Sequence, residues 1–293
     1  MEQPINILNR VAAPVFREIE KIQLEQPDER SLDNGVSFYS INKGTQDLVR
    51  IELIFEAGCW YEKKPLTSPV TATMLREGTK NYTSAQLAEK LDYFGAHLNV
   101  ESDPDFITIS LYTLNKYLPE VLPVLYELIT EPVFPEKEME TVIRNAKQKL
   151  KQNEEKVSFL ARNYFKELLF GAGHPYAEHP KAEYYDNITR NDLVAFHSAY
   201  LSGSNLKIVA AGKIGEDHFN LINRYFGRLK QIPGEQKPLG VFNHIEQNRT
   251  LIKKEGAIQS AIRIGKKLFN KTHPDFHSFQ VLNTLLGGYF GSR

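Results

Sequence analysis

Two stretches near the start of the chain, GVSFYSINKG and DLVRIELIFEAG, are rich in Val, Ile and Phe and alternate in part between apolar and polar positions. A period of two sends alternate side chains to opposite faces, so both read as strands, joined near Lys43 and Gly44. SPVTATMLREGT lacks that alternation. It reads as a short helix with Ser68 as N-cap, Pro69 at the first helical position and Gly78 at its stop. TSAQLAEKLDYFG is a second helix, capped by Thr83 or Ser84, with Leu87, Leu91 and Phe94 on its apolar face and Gly95 at its end. AHLNVES and DFITISLYTL return to strand character. In the latter, Phe106, Thr108, Ser110 and Tyr112 alternate with Ile107, Ile109 and Leu111, as on a sheet with one drier face.

Helical spacing dominates the middle of the chain. LPEVLPVLYELIT is an apolar helix, and residues 134–171 form a long charged helix or two joined end to end, with Met139, Val142, Ile143, Ala146 and Leu150 on one face. TRNDLVAFHSAYL, NLKIVAAG and GEDHFNLINRYFGRL follow as helix, buried strand and helix. Pro233, Gly234, Pro238 and Gly240 then punctuate a polar stretch, which marks residues 233–249 as a linker. Beyond it, TLIKKEG and SAIRIGKKLF read as strands and HPDFHSFQVLNTLLGG as a helix. The succession of strand, polar loop and Leu-rich helix ending in glycine repeats an earlier one, which suggests a duplicated domain. The expectation is an α+β fold, a mixed or antiparallel sheet flanked by helices, in residues 1–232, and the start of a second such domain in 250–293, cut short at Arg293 or completed by another chain.

Composition narrows the function. The chain has 293 residues, 41% hydrophobic and 25% charged, with 36 basic and 36 acidic residues. That balance gives no basic excess of the kind nucleic-acid binders show, so no nucleic-acid partner is expected. No apolar run is long enough to span a bilayer. The N-terminus has no signal-peptide core, which points to the cytoplasm; a trimmed start would allow the periplasm. Cys59 is the single cysteine, so an internal disulfide and a cysteine-based zinc site are excluded. Its neighbours in LIFEAGCWYE mark it as a small buried side chain. Asn81, Asn187, Asn248 and Asn270 head Asn-x-Thr triplets, read as chance matches without a secretory signal.

Four segments carry a family resemblance: LDNGVSFYSINK with LVRIELIFEAGCWYE; MLREGTKNYTSAQLAEKLDYFGAHLNVESDPDFITISL; FGAGHPY; and LLGGYFGSR. In order and spacing they resemble the pitrilysin/insulinase family of inverted-zincin metallopeptidases, over the whole chain. The first resembles that family's opening hairpin, the second its Gly-Thr-Lys turn, helix and substrate-edge strand. The resemblance implies a fold duplicated in the family and a catalytic His-x-x-Glu-His helix. There two His on one helix face bind zinc, the Glu activates water, and a Glu from a later helix completes the ligand set. Counted back from Gly78, Thr79 and Lys80, those positions carry Pro69, Ala72 and Thr73, and the later Glu falls at about Lys149. Pro and Ala offer no donor atom, Thr a weak neutral oxygen, and a protonated Lys no lone pair. No catalytic residue and no metal ligand is therefore expected in this chain, and Lys149 is expected to place its charge near Glu62 or Glu77.

The resemblance also implies a partner. Some relatives work as pairs in which one subunit bears zinc and the other closes the chamber and helps bind peptide. This chain is expected to be the zinc-less one, with no cofactor of its own and zinc only in the homologous partner. Asn99, Val100 and Glu101 match the edge strand that takes peptide by backbone pairing, although a plain edge strand has the same pattern. Gly287 and Gly288 resemble a peptide-contacting segment, and equally a helix C-cap. The family's substrate-holding Arg and Tyr would lie beyond Arg293. His174 in GHPY resembles a structural residue of the family; His179 follows it across a proline. His273 and His277 have ligand spacing without an intervening Glu in catalytic order, and read as exposed helix-start residues. Two further readings remain open, a stand-alone peptide-binding scaffold and an active zinc peptidase.

Overall fold

The computed structural model describes residues 25–232 and 249–288. Six strands form one mixed sheet: β1 (Asp28–Ser31), β2 (Ser37–Asn42), β3 (Leu48–Phe55), β4 (His97–Ser102), β5 (Ile107–Leu114) and β6 (Leu206–Gly212). Their spatial order is β1-β2-β6-β3-β5-β4. The α+β expectation is met, but the opening hairpin is not. β2 and β3 are not hydrogen-bonded to each other; β6 lies between them, parallel to β2 and antiparallel to β3. The intervening Lys43–Asp47 segment therefore steps over one strand, about 10 Å at the usual strand spacing, which five residues span with ease.

The sequence of β6 suits this central place. Leu206, Ile208 and Ala210 are buried, and the small Ala211 and Gly212 end the strand where the neighbours close in. Gly212 has φ +129, and a Cβ there would stand 2.3 Å from the Leu48 carbonyl oxygen. Only glycine fits, because the conformation and the close approach both exclude a side chain.

The inward faces of the strands make the core. Val49, Ile51, Leu53 and Phe55 from β3 meet Ile107, Ile109 and Leu111 from β5 and Phe38 from β2, all 1% exposed or less. Helices cover this face: α1 (Thr67–Met74), α2 (Ser84–Tyr93), α3 (Leu118–Thr130), α4 (Glu136–Glu154), α7 (Arg190–Tyr200) and α8 (Glu216–Phe226). The opposite face is polar. Arg50 pairs with Glu52 and lies over the Tyr112 ring, and Lys207 reaches Glu56 at 3.2 Å.

Local signals set the helix limits. Thr83 and Gln86 form a capping box at α2, Thr189 and Asp192 another at α7. The charged helix of the middle region is two, α4 and α5 (Val157–Phe170), broken at Glu155–Lys156. A short α6 (Ala182–Asp186) leads into α7.

Residues 233–248 of the expected linker lie outside the described residues. The two strands expected after it are absent among the described residues: 249–270 hold no regular element except turns. A strand exists by pairing, and no neighbouring strand reaches this segment. It crosses α5 instead, with Lys254 bonded to Glu155 at 3.0 Å and Lys267 over the Phe170 ring. The expected terminal helix is present as α9 (Phe276–Asn283), continued by a wider turn, Thr284–Gly288.

Replacing Gly212 by Ala drives a methyl group into the Leu48 carbonyl at the sheet centre. We expect a loss of about 3 kcal/mol in urea-unfolding free energy, against less than ~0.5 kcal/mol for a change to Ala at the exposed Lys207 at the other end of the strand.

Candidate functional site

The candidate site lies where the N-terminal half of α1 meets the free edge of the sheet. Among the described residues β4 is the last strand, paired on one side only, with β5. Leu98, Val100 and Ser102 turn towards the helices. His97, Asn99 and Glu101 occupy the other face, where Asn99 Nδ2 donates to Glu101 Oε1 at 2.8 Å. The outer N–H and C=O groups of β4 are thus available to an added strand.

α1 is short because its ends are set by contacts outside it. The helix begins at Thr67, one residue before the expected cap. Ser68 is not the N-cap: its hydroxyl is fully buried and donates to the Ala57 carbonyl at 2.7 Å. Its proton being used there, it accepts from Ser102 Oγ, also at 2.7 Å, a bond that ties the helix to the end of β4. The cap position falls to Leu66, held in the left-handed region at φ 71. Glu62 serves the helix end in place of a cap side chain. Its Oε2 accepts from Leu66 N at 2.9 Å and its Oε1 from Ser68 N at 2.8 Å. Two otherwise orphan N–H groups are satisfied at the positive end of the helix.

Glu62 is partly buried, and loss of water around its carboxylate raises its pKa to about 7, against the two N–H bonds, which lower it; the nearby Glu178 raises it further. Burial and the charges of Glu62 and Asp105 push the Cys59 thiol up to about 12. Cys59 is protonated at any ordinary pH and its Sγ faces the Pro104 and Pro175 carbonyls at 3.4 Å, so it is inert as a nucleophile.

The positions counted from Gly78 fall on the outer side of α1. Pro69 is half-buried and Thr73 exposed, four residues apart on one stripe, with Arg76 next along it. Thr73 Oγ1 donates back to the Pro69 carbonyl at 2.9 Å. Ala72 lies to the side, 2% exposed. Lys149 stands on α4, exposed, while its neighbour Leu150 turns into the packed side. The expected contact of Lys149 with Glu62 or Glu77 is therefore absent. Glu62 is occupied by backbone donors, and Glu77 Oε2 accepts from Ser84 Oγ at 2.9 Å. One residue along a helix is a rotation of about 100°, and burying Leu150 sends Lys149 outward. A donor set of Pro, Ala, Thr and Lys does not fit zinc, and among the described residues no group of three or more His, Cys, Asp or Glu is placed to hold a metal ion.

The histidines serve elsewhere. His174 is 7% exposed, and its Nδ1 accepts from Tyr176 N at 3.0 Å. With Trp60, Phe170 and Tyr176 it forms an aromatic cluster, and Tyr176 OH donates to Asp105 Oδ1 at 2.6 Å, fastening the loop after α5 to the β4–β5 turn. His179 Nε2 meets Glu167 at 3.1 Å. His273 and His277 are exposed at the start of α9, and His273 stacks on Phe269. Gly287 and Gly288 are exposed in the terminal turn, with open space around Gly287. The sequence named Glu62 only as a partner for Lys149; its role as acceptor at the start of α1 was not foreseen. Its only local signal is an acidic residue just upstream of a helix start, among aromatic neighbours.

A family described as "Insulinase (Peptidase family M16)" matches residues 37–171, and one described as "Peptidase M16 inactive domain" matches 187–293. The chain belongs to peptidase family M16. It is 23% identical over 279 residues to the mitochondrial-processing peptidase subunit beta of Bos taurus, covering 92% of this chain and 56% of that one. It is 26% identical over 226 residues to the non-peptidase homolog YmxG of Helicobacter pylori, covering 76% and 52%. The crystal structure of a peptidase M16 inactive domain from Pseudomonas fluorescens superposes with a TM-score of 0.67 at 21% identity, over 71% of this chain and 52% of that one. The chain spans about half the length of these curated relatives. Among the described residues no helix is long and apolar enough to cross a membrane.

Because the folded protein holds a proton on Glu62 that the unfolded chain has released above about pH 4.5, this group's contribution to stability is complete below that pH and is lost as pH rises through about 7. The loss is of order 3 kcal/mol. Urea-unfolding curves between pH 5 and 8 should show that fall, and Glu62→Gln should remove this part of the slope.

Proposed function

We propose that this chain is a zinc-less member of its family that holds peptide in extended form along β4 and works with a homologous subunit that bears the zinc. The observation that carries the reading is the coincidence of two features at one place. The stripe of α1 that would face a metal carries Pro69 and Thr73, and the strand beside it, through Asn99, Val100 and Glu101, has a free edge. Strand addition needs backbone donors and acceptors and alternate side-chain space, and no metal. Hydrolysis needs an activated water, for which Pro69, Ala72, Thr73 and Lys149 would supply neither ligand nor general base. In the pair, the partner would bring the metal and the base, and this chain the wall and the edge strand. Gly287 and Gly288 would add a second peptide contact from the C-terminal segment.

A relative whose printed name speaks of a subunit, the mitochondrial-processing peptidase subunit beta, favours a partner. The stand-alone scaffold differs only in the absence of that partner.

Metal analysis decides the first part: the purified chain should carry far less than one zinc per molecule and cleave no peptide by itself. Stoichiometric zinc would overturn the reading. Mixed with a homologue that has an intact His-x-x-Glu-His, the chain should form a complex and raise peptide turnover at least tenfold; no complex would favour the scaffold. Backbone pairing at β4 is tested on the ligand side. N-methylation at alternate residues of a bound peptide should weaken binding by about tenfold or more, and at the residues between should have little effect, because only every second N–H of an added strand faces the edge.

A further inference from the structure

The Glu62 carboxylate touches both the turn before α1 and the helix itself, and α1 in turn touches the peptide edge. Its two oxygens accept from Leu66 N and Ser68 N. Ser68 Oγ, on the second of those residues, bonds the Ala57 carbonyl at the end of β3 and Ser102 Oγ at the end of β4. Thus a carboxylate, a helix terminus and the edge strand are joined through Ser68 by two consecutive short hydrogen bonds. Leu66, the residue between, is held at φ 71, a left-handed conformation that non-glycine residues rarely adopt.

The surroundings fix the sign of any response to protons. Glu178, from the loop before α6, faces Glu62 with like charge. Cys59, in the turn after β3, is a neutral thiol that also faces Asp105 of the β4–β5 turn and Lys166 of α5. Lys64, two residues on, is directed to Asp192 of α7 at 2.7 Å and to the Asn187 carbonyl at 3.2 Å. α1 contributes no titratable side chain between Thr67 and Met74, and Glu101 of β4 lies on the other face of the sheet with Asn99. Burial, with Glu178 beside it, favours the neutral form of Glu62 over the pull of its two N–H bonds toward the ionised form, and an opening that returns it to water releases its proton.

We propose that Glu62 is a proton-held latch on the peptide-binding edge: protonated, it keeps the start of α1 closed against β4, and ionised, it favours an opening that passes through the Ser68–Ser102 bond and frees the end of that strand. The link to peptide rests on the edge-strand reading above; the latch itself does not. Acting through Ser68, Glu62 is a positioning residue and touches no peptide. Binding at β4 would therefore weaken as pH rises above neutrality.

Hydrogen exchange on the free protein tests the latch without a ligand. Protection factors, corrected for the intrinsic pH dependence of exchange, are read at pH 6 and pH 8.5 for residues 66–70 and 97–102. In the wild-type chain protection should fall about tenfold or more in both segments at the higher pH. Glu62→Gln should make it equal at the two pH values. Ser68→Ala should keep the response in 66–70 and lose it in 97–102. A wild-type pH response that persists in Glu62→Gln, or that reaches 97–102 undiminished in Ser68→Ala, overturns the proposal. A fluorescent extended peptide is then titrated at both pH values. Weaker binding at pH 8.5 in the wild type alone supports the link to the edge, and equal affinity at both refutes it. If no peptide binds at either pH, the edge-strand reading fails while the exchange data still decide the latch.

Discussion

The sheet is held together by a strand that arrives late. β6 supplies the parallel partner of β2 and the antiparallel partner of β3, and without it the sheet falls into two unconnected pieces. Leu206, Ile208 and Ala210 complete the central rows of the core, and Gly212 lets the backbone pass within van der Waals reach of β3. The candidate site depends on this arrangement at one remove. β3 places Ala57, Gly58 and the turn that follows, β5 carries β4 at the rim, and α1 is seated between them.

Among the described residues the region around α1 is built without metal-binding chemistry. A helix, an edge strand beside it and an opposing long helix are all present. The donor atoms are not, and Thr73 has turned its hydroxyl back on its own helix. The electrostatic centre of the region is instead Glu62, behind the helix, where a carboxylate does what a cap residue does elsewhere. That substitution accounts for the unusual conformation of Leu66 and for the loss of the expected capping role of Ser68.

Local signals were readable in the sequence wherever the structure is local. Thr83 with Gln86 caps α2, Gly95 ends its turn, and the alternation in β5 matches its buried face. Counting back from Gly78 put Pro69 and Thr73 on one helical stripe, and both are there. What misled the reading was non-local pairing. β2 and β3 look like a hairpin because nothing near them in the chain announces β6. Thr250–Phe269 has strand-like composition and no strand to pair with among the described residues. The outward turn of Lys149 follows from the demand of Leu150 for burial, a competition that residue type alone does not rank. Glu62 was assigned to Lys149 instead of to the helix start because its partners are backbone N–H groups, which leave no mark in a sequence.

The late arrival of β6 has a consequence for the birth of the protein. A ribosome adding about 5–20 residues per second completes β2 and β3 roughly ten seconds or more before β6 can join them. During that interval the facing edges of both strands are bare, and β3 presents Val49, Ile51, Leu53 and Phe55 beside them. Nascent chains crowded on one message would meet through those edges. The cell's chaperones therefore have their strongest hold on this molecule before it has a fold, in the interval between its third strand and its last.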